Sequence, residues 1–370
     1  MQHALRFSTL PCMDEVEGSA VVVNGDPQLA AKEAELRYVD TDEPGWRRKR
    51  WGRGFTYLDL QGQHITGEQE RRRIEELAIP PAWTDVWICP HKNGHIQVTG
   101  RDAKGRKQYI YHPRWQEIRN ETKFARMLRF GRALPQIREQ VDRDLRKHGA
   151  VRERVLAAVV RLLQESMIRV GNLEYARNNG SYGLTMMRED HLELNGTNLH
   201  FEFKGKSGKI HVANVRDPRV ARVLRHLQEL PGQQLFQYID DDGNRRVVES
   251  GDVNEYVNKA IATEEKFSAK EFRTWGATCH AIRVLKEMGA PEDEKVADAN
   301  VVELYKRVAD YLGNTAVVCR DYYVHPAVPE AYRQGTFFEV CIDVEGGPHD
   351  QWLDVDEQVA LTLLSSKPDA

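Results

Sequence analysis

Four separated segments of the chain carry polar side chains with a use in reactions at a phosphate ester. In chain order the candidates are Arg169, Lys206, Arg273, and the pair Asn314 and Tyr323, which lie nine positions apart. A phenol has a pKa of about 10, so as a nucleophile at neutral pH it needs cations that stabilise both its anion and the pentacoordinate phosphorane that it forms. One tyrosine combined with three cations therefore indicates phosphoryl transfer to tyrosine.

The cations suit different steps of such a reaction. A guanidinium is permanently charged and can hold two nonbridging oxygens at once, which suits Arg169 and Arg273 as clamps on a phosphate. The departing 5′-oxygen needs a proton, and an ammonium can supply one because its pKa falls when it is desolvated beside other cations. Lys206 is therefore the candidate general acid. The Asn314 amide can donate a hydrogen bond to a phosphate oxygen but carries no charge.

The four segments together resemble the type IB DNA topoisomerases, specifically the small bacterial, poxvirus-like branch. The match is carried by an ordered set of motifs: MIRVGN around Arg169, FKGKSGK around Lys206, KEFRTW around Arg273, and a small polar residue nine positions before Tyr323. It extends over roughly residues 35–335. The resemblance implies that the three cations and Asn314 are catalytic and that Tyr323 becomes a 3′-phosphotyrosyl linkage.

The resemblance implies an enzyme that relaxes supercoiled duplex DNA by cutting one strand, letting it swivel and resealing it. The bond energy is kept in the phosphotyrosine, so no cofactor, neither ATP nor a metal, is expected, and the chain has no Gly-x-x-x-x-Gly-Lys-Ser/Thr loop. Two positions depart from the family pattern. Asn314 stands where poxviral members carry histidine, and Ala316 stands where many relatives have proline.

Other interpretations stay open at the level of sequence. A tyrosine recombinase shares this strand-transfer chemistry, although its usual second box, His-x-x-Arg, would have Lys270 at the histidine position here. A noncatalytic DNA-binding protein is a further alternative. With a shifted loop, Tyr322 would be the nucleophile instead of Tyr323. Taken singly, each candidate also suits an ordinary structural role, and only their ordered combination favours a site.

A second segment, residues 100–111 (GRDAKGRKQYIY), resembles the DNA-gripping strand of the same family. Alternation along a strand places Tyr109 and Tyr111 on one face with Lys107, and a glutamine at position 108 can read a base edge in the major groove. The alternating aromatics equally suit the core face of a sheet. The expected DNA contacts are Arg106, Lys107, Gln108, Tyr109, Tyr111, Tyr175, which matches a family contact, and Lys270.

The charge is distributed unevenly, which a net charge of −3 conceals. Residues 45–150 hold 23 Lys and Arg against 12 Asp and Glu, a net charge of +11. Residues 1–44 and residues 341–370 each carry a net charge of −6. A basic block between acidic ends is the footprint of a surface that binds double-stranded DNA. A solvated charged face is the alternative.

Hydrophobic periodicity predicts an α+β fold with a small β-rich domain first. Short strand-like runs at residues 36–39, 55–60, 86–88, 95–99 and 107–111 build this domain. Residues 45–52 are predicted to be a basic turn between two tryptophans. Thr66 with Gln69 predicts a capping box and a helix as far as about Ala78.

From about residue 121 a 3.6-residue period takes over, which predicts a mainly helical domain. Arg169 is expected near the end of a core-packed helix, and three antiparallel strands between residues 192 and 215 would place Lys206 at a hairpin tip. The expected domains are an acidic extension (1–34), a β-rich DNA-binding domain (35–115), a catalytic domain with the tyrosine strand-transferase fold (116–340) and an acidic tail (341–370).

Composition is that of a globular protein without a membrane segment. Of the 370 residues 41% are hydrophobic, which suits two domains, and no apolar run is long enough to span a bilayer. Five dispersed cysteines without a Cys-x-x-Cys pair indicate neither a disulfide framework nor a zinc site. This composition predicts a cytoplasmic protein, and the resemblance implies one that is nucleoid-associated and acts as a monomer clamped around duplex DNA.

Overall fold

The computed structural model describes residues 27–171, 180–205, 208–348 and 350–365. The chain divides into two compact units, Met1–Phe124 and Ala125–Ala370. The division falls within one long helix, α3 (Pro113–Asp144). Among the described residues, no helix combines the length and apolar character needed to cross a membrane.

The N-terminal unit is built on one five-stranded antiparallel sheet. Two helices, α1 (Pro27–Glu33) and α2 (Glu68–Glu76), precede the start of α3. The strands are β1 (Trp46–Trp51), β2 (Gly54–Leu58), β3 (Thr84–Ile88), β4 (Ile96–Arg101) and β5 (Lys107–Tyr111). Their order in the sheet is β2-β1-β3-β4-β5, and each neighbouring pair is antiparallel.

The core of this unit lies between α2 and the sheet. Ile74 of α2 is buried together with Val86 and Ile88 of β3 and Val98 of β4. Full burial of an aliphatic side chain stabilises a fold by about 1.5–3 kcal/mol, so these four residues anchor the helix to the strands. A second buried cluster joins the alanines of α1 to Trp115, with Tyr111 packed against it.

Residues 45–52, predicted as a basic turn, instead contain strand β1. Arg48 explains the difference, because its guanidinium donates to the carbonyl oxygens of Pro80 (3.1 Å) and Trp83 (2.5 Å) and lies 4.1 Å from the centre of the Phe55 ring. A long arginine stem can cover a sheet where the pattern expects an apolar residue. The turn itself is limited to residues 52 and 53.

Two further local predictions were wrong. The helix predicted from Thr66 begins at Glu68, with Gly67 as its N-cap and no side-chain capping bond, so no capping box forms there. Residues 36–39 form an isolated bridge between Arg37 and Gly94 and not a strand. Both predictions used local signals alone, whereas a strand also needs a partner with free backbone groups.

The C-terminal unit is mainly helical. Its helices after α3 are α4 (Arg152–Ser166), α5 (Pro218–Gln228), α6 (Ser250–Lys259), α7 (Ala269–Met288), α8 (Glu294–Leu312), α9 (Ala316–Tyr322), α10 (Ala327–Arg333), α11 (Phe337–Glu345) and α12 (Val355–Ser365). A three-stranded antiparallel sheet has the order β6-β7-β8, from β6 (Leu192–Asn195), β7 (Asn198–Lys204) and β8 (Ile210–Arg216). A short hairpin pairs β9 (Gln237–Ile239) with β10 (Arg245–Val247).

Helix α7 is the central element of this unit. It packs against α4, α8 and α12, and most of its side chains from Ala269 to Leu285 are buried. Its N-terminus is fixed by a capping box between Ser268 and Glu271, which satisfies backbone donors that would otherwise lack acceptors. The predicted α+β class and the three antiparallel strands are confirmed.

Part of the predicted acidic tail is folded into the core. Val359, Ala360, Leu363 and Leu364 of α12 are buried, and the helix packs against α7, α10 and α11. The net charge of residues 341–370 concealed this, because it does not show that the apolar residues of α12 are buried together with one of its carboxylates, Glu357. The described part of this segment is therefore structural support for the catalytic unit.

Candidate active site

Arg169 lies just beyond helix α4 and is held by backbone contacts. The helix ends because Met167 takes a left-handed conformation, with a φ of 53°. The Arg169 carbonyl accepts a hydrogen bond from the Leu184 amide, and the Val170 carbonyl accepts one from Thr185, each at 2.8 Å. The predicted position near the helix end is correct, but the short helix Leu184–Met186 fixes the segment.

Arg273 is buried on α7 and points towards the end of α8. Only 7% of the residue is exposed, and its Nη2 donates to the Leu312 carbonyl at 3.0 Å. Its guanidinium carbon lies 5.8 Å from the centre of the Tyr323 ring, and the guanidinium hydrogen-bonds the Tyr323 side chain. Arg273 therefore connects the two elements that carry Asn314 and Tyr323.

Asn314 binds Arg169 at the end of helix α8, where Leu312 accepts a hydrogen bond from Arg273. It follows Gly313, the left-handed C-cap of α8 with a φ of 64°, and its amide N–H donates to Ala309 at 2.9 Å. Its side-chain oxygen accepts a hydrogen bond from Arg169 Nη2 at 2.8 Å. This bond uses the side-chain oxygen and leaves the side-chain nitrogen, Nδ2, as the donor that a further group can meet.

Two buried donors in this site have no hydrogen-bond acceptor among the described residues. They are Asn314 Nδ2 and Arg273 Nε. Buried donors are paired in most folded proteins, because an unpaired one costs about 1–3 kcal/mol. An oxygen atom of an anionic ligand would supply the acceptor that each of these two donors lacks.

The electrostatics of the site also favour an anion. Burial, and after it the charge of the neighbouring Arg169, lower the pKa of Arg273 to about 10, although Tyr323 and Cys319 oppose the shift. The group remains charged at neutral pH. Neither Arg169 nor Arg273 forms an ion pair with an acidic side chain in the described part of the chain. Within those residues, neither position is a salt-bridged core arginine.

Tyr323 lies next to the Arg273 guanidinium. It ends α9, where its amide donates to Cys319 at 3.0 Å and its carbonyl accepts from Thr278 Oγ1 at 3.3 Å. Thr278 is buried on α7, so the same helix that carries Arg273 fixes the backbone of Tyr323. The ring that Arg273 approaches belongs to Tyr323, the tyrosine that the nine-residue spacing selects as the candidate nucleophile.

Three other predicted positions have different outcomes. Lys206 and Tyr175 lie outside the described residues. The ends of the hairpin around position 206 are described: Gly205 donates to the Lys209 carbonyl at 2.8 Å, and the Gly208 amide donates to Gly205 at 3.1 Å. Lys270 is exposed in the first turn of α7, one turn before Arg273.

The predicted DNA contacts on β5 lie on both faces of the strand. The Tyr109 and Tyr111 rings stack at 5.8 Å, and Lys107 Nζ lies 5.6 Å from the centre of the Tyr109 ring. These three residues share one face. Lys107 Nζ also lies 3.2 Å from Thr41 Oγ1.

Gln108 and Arg106 are both engaged with Asp102. Gln108 is only 3% exposed, and its amide nitrogen donates to Asp102 Oδ2 at 3.1 Å. Arg106 forms an ion pair with the same carboxylate at 2.7 Å. Burial would raise the pKa of Asp102, but the hydrogen bonds from Arg106 outweigh it and lower that pKa. The predicted base contact of Gln108 is therefore not presented in this conformation, because its amide is turned into the unit.

A buried polar network supports α7 from the side opposite Arg273. Glu357 of α12 is 5% exposed and accepts two hydrogen bonds from the Arg138 guanidinium, each at 2.6 Å. It also accepts from Trp275 Nε1 at 3.0 Å. Trp275 is two residues after Arg273, so the network fixes the back of the helix turn that carries the guanidinium. Sequence reasoning missed this network, since its members are 82 to 219 residues apart.

Comparison with known proteins gives two family-model matches. Residues 112–333 match the catalytic core of eukaryotic DNA topoisomerase I, and residues 54–102 match the N-terminal domain of bacterial DNA topoisomerase IB. The chain is 32% identical over 301 residues to DNA topoisomerase 1B of Acanthamoeba polyphaga mimivirus, covering 80% of this chain and 89% of that protein. It is 23% identical to DNA topoisomerase 1B of vaccinia virus (strain Copenhagen), covering 72% of this chain and 83% of that one.

Among solved structures, a similar one is the XerH site-specific recombinase bound to difH substrate. The TM-score is 0.33 at 13% identity, with 51% of this chain and 48% of that chain covered. At this score the likeness is too weak to support a conclusion.

Proposed function

The chain belongs to the type IB DNA topoisomerases, and we propose that its reaction takes place at Tyr323, with Arg169, Arg273 and Asn314 holding the scissile phosphate. The family membership predicted from the sequence is confirmed by the two matched domains and by the viral relative. The protein is an enzyme, a DNA topoisomerase. The residue roles are proposals that rest on the geometry of the site.

One observation carries the assignment of roles. Asn314 Nδ2 and Arg273 Nε are buried donors without an acceptor among the described residues, and they belong to a cluster that also contains two guanidiniums and the Tyr323 ring. The nonbridging oxygens of a phosphate would supply the acceptors that these two donors lack. Donors fixed in advance and aimed at developing charge are the largest source of stabilisation in many phosphoryl transfers.

The proposed reaction is a reversible transesterification. The Tyr323 oxygen forms a bond to phosphorus while the bond to the 5′-oxygen breaks, which leaves the 3′ end attached to tyrosine. The phenol loses one proton and the 5′-oxygen gains one, so the phosphate keeps the charge of a diester. The two arginines stabilise the extra negative charge of the phosphorane. After the free end has swivelled, the 5′-hydroxyl attacks and restores the strand.

Lys206 remains the proposed general acid. The hairpin ends on either side of it are fixed by the paired strands β7 and β8, whose register runs from Asn198↔Arg216 to Lys204↔Ile210. Lys206→Ala should cut an ordinary phosphodiester slowly, yet recover on a substrate with sulfur at the 5′-bridging position, since a thiolate leaves without a proton. Equal slowness on both substrates would rule out the acid role.

We further propose that the exposed cations of the N-terminal unit bind the duplex backbone. Arg47, Lys49 and Arg50 of β1 are exposed, and residues 45–124 of this unit hold 16 Lys and Arg against 9 Asp and Glu, a net charge of +7. A monomer that contacts one duplex with both units fits this charge and this substrate. A protein with this substrate is expected in the cytoplasm, associated with the nucleoid. Sedimentation of the protein with and without a short duplex tests the monomer, and fluorescence microscopy of a tagged protein tests the location.

The experiment for the proposed function combines relaxation with adduct formation. The wild type should relax a supercoiled plasmid in the presence of EDTA and without ATP. Tyr323→Phe should bind duplex but form no covalent adduct on denaturing gels, whereas Tyr322→Phe, the matched control, should still form one. A requirement for a metal or ATP, or a dead Tyr322→Phe with an active Tyr323→Phe, would contradict the proposal.

A further inference from the structure

His211 of β8 occupies the space between two glycines that each precede a proposed catalytic residue. Gly205 is followed in sequence by Lys206, and Gly313 is followed by Asn314. The imidazole also stacks on Phe203 of β7, with ring centres 5.7 Å apart and an angle of 18° between the planes. Phe203 is buried, so it supplies a fixed surface on which the imidazole rests.

The fit around the imidazole is close on both edges. A Cβ at Gly205 would overlap His211 Cδ2 and would lie 2.8 Å from Nε2. A Cβ at Gly313 would lie 2.7 Å from Cε1 on the opposite edge. Contacts below 3.0 Å are not sustained by carbon atoms at a fixed backbone. The ring therefore spans the full gap between the β7–β8 hairpin and the end of α8.

Both glycines belong to backbone turns with fixed hydrogen bonds. Gly205 is paired with Lys209, and the Gly208 amide closes the turn at a φ of 75°. Gly313 is the left-handed C-cap of α8, and Asn314 is tied back to Ala309. Because these backbone bonds fix Gly205 and Gly313 within their own elements, the contacts of both glycines with His211 set the distance between them.

A neutral ring is the suitable spacer at this position. Burial lowers the pKa of His211, and the charges of Arg169, Arg273 and Lys209 lower it further, in that order. The imidazole is thus neutral at pH 7. It fills the gap without adding a fourth positive charge to the site.

We propose that His211 is a positioning residue for strand cleavage: its ring holds the hairpin around Gly205 at a fixed distance from Gly313 and so sets the spacing between the general-acid hairpin and Asn314. The proposal rests on the proposed function, since it concerns the same reaction. No member of the sequence motifs pointed to His211. The only signal was the alternation in β8, which places it on the same face as Ala213 and Val215.

The test is single-turnover cleavage of a suicide duplex, with DNA affinity measured separately by fluorescence anisotropy. His211→Ala should cleave about 10- to 100-fold more slowly with unchanged Kd, because displacing a reacting group by about 1 Å costs up to this much. His211→Phe should recover most of the rate, since a neutral ring of similar shape fills the gap. His200→Ala, a histidine change in the adjacent strand of the same sheet, should cleave like the wild type.

A double-mutant cycle tests the contact itself. Gly205→Ala should slow cleavage because its methyl group meets the imidazole, and the loss should be smaller than additive in Gly205→Ala with His211→Ala. The proposal is overturned if His211→Ala cleaves at the wild-type rate, if His211→Phe is as slow as His211→Ala, or if the two losses add. Wild-type cleavage in the same assay keeps this outcome separate from failure of the proposed function, which would abolish cleavage in every variant.

Discussion

The two units of this protein hold their cations in opposite ways. In the catalytic unit Arg273 is 7% exposed, and the charge that most affects its pKa is that of another arginine, Arg169. In the N-terminal unit Arg47, Lys49 and Arg50 stand in solvent on β1. Placing an unpaired guanidinium in a protein interior is costly, whereas an exposed one costs little.

The difference in burial fits the role that we propose for each set of cations. A buried cation without a counter-ion acts on one phosphate at one position, in a low local dielectric where the interaction is strong. Exposed cations neutralise several phosphates, each by a small and salt-dependent amount. Substitutions in the catalytic unit should therefore give all-or-none losses of cleavage, and those in the N-terminal unit graded losses of affinity.

The largest effect is expected for Arg273→Met. Cleavage should fall by at least about 10²- to 10³-fold, because one fixed cationic donor at the phosphorane is lost. The free energy of unfolding should be unchanged or higher, since the methionine keeps much of the volume and removes an unpaired buried charge. Single-turnover cleavage and urea denaturation measure the two quantities.

The matched control for this prediction is Arg138→Met. Arg138 is also an interior arginine, but it is paired with Glu357 through two hydrogen bonds of 2.6 Å. Its replacement leaves a buried carboxylate without a partner, so stability should fall by about 3–5 kcal/mol. If the two methionine variants lost equal stability, the contrast between a ligand-binding cation and a structural cation would fail.

The next effect concerns the pH dependence of stability through Glu357. Burial raises the pKa of this carboxyl, but its hydrogen bonds with Arg138 and its other donors outweigh burial and lower the pKa below the ordinary value of 4.5. A carboxyl with a lowered pKa stabilises the fold above its unfolded pKa, and this contribution is lost as the pH falls through the lowered value. The melting temperature of the catalytic unit should therefore drop on acidification below about pH 4.3.

Glu357→Gln should abolish most of that acid-dependent drop while lowering stability at pH 7. Glu303→Gln serves as the control, because Glu303 pairs with Lys306 on the surface, where both side chains are more than half exposed. It should change stability little. The melting temperature of each variant is measured from pH 3 to 7. If it falls by the same amount in Glu357→Gln as in the wild type, the role of the network is contradicted.

A smaller, graded effect is expected for the β5 cations. Arg106→Ala with Lys107→Ala should make the slope of log affinity against log salt shallower by up to about two phosphates' worth, at about 0.9 per phosphate. Lys107 should account for more of the change, because Arg106 is already paired with Asp102 at 2.7 Å. Anisotropy titrations at several salt concentrations measure the slope. An unchanged slope in the double variant would remove this strand from the DNA interface.

The smallest effect on binding is expected for Gln108→Ala. The buried amide donates to Asp102 and carries no charge, so its loss should leave the salt slope unchanged and destabilise the N-terminal unit by about 1 kcal/mol. If Gln108 also reads a base edge, as its type first suggested, the cleavage site preference should relax in this variant. Mapping cleavage sites on a randomised duplex decides the point, and an unchanged preference would limit Gln108 to holding the turn at residues 102–106.

The sequence predicted the parts of this molecule that depend on local chemistry. The spacing from Asn314 to Tyr323 identified the tyrosine next to Arg273, and alternation located β5 to the residue. It failed where a side chain takes its meaning from a distant partner. The contact of Arg48 with Trp83 lets a charged run form a strand, and the hydrogen bond to Asp102 keeps Gln108 buried. The pairing of Glu357 with Arg138 holds part of the predicted acidic tail in the core. The motifs did not indicate His211, because its contacts with Gly205 and Gly313 form only in the folded chain.

The central claim is that Tyr323, placed beside the unpaired donors of Arg273 and Asn314, forms the covalent bond to DNA. The most direct test is to trap the adduct on a suicide duplex, digest it with nuclease and trypsin, and locate the remaining nucleotide by fragment-ion mass spectrometry. Cleavage after Arg320 and Arg333 yields one peptide with both candidate tyrosines, Tyr322 and Tyr323. The account predicts the phosphonucleotide mass on Tyr323; its presence on Tyr322, or on a residue outside this peptide, would contradict it.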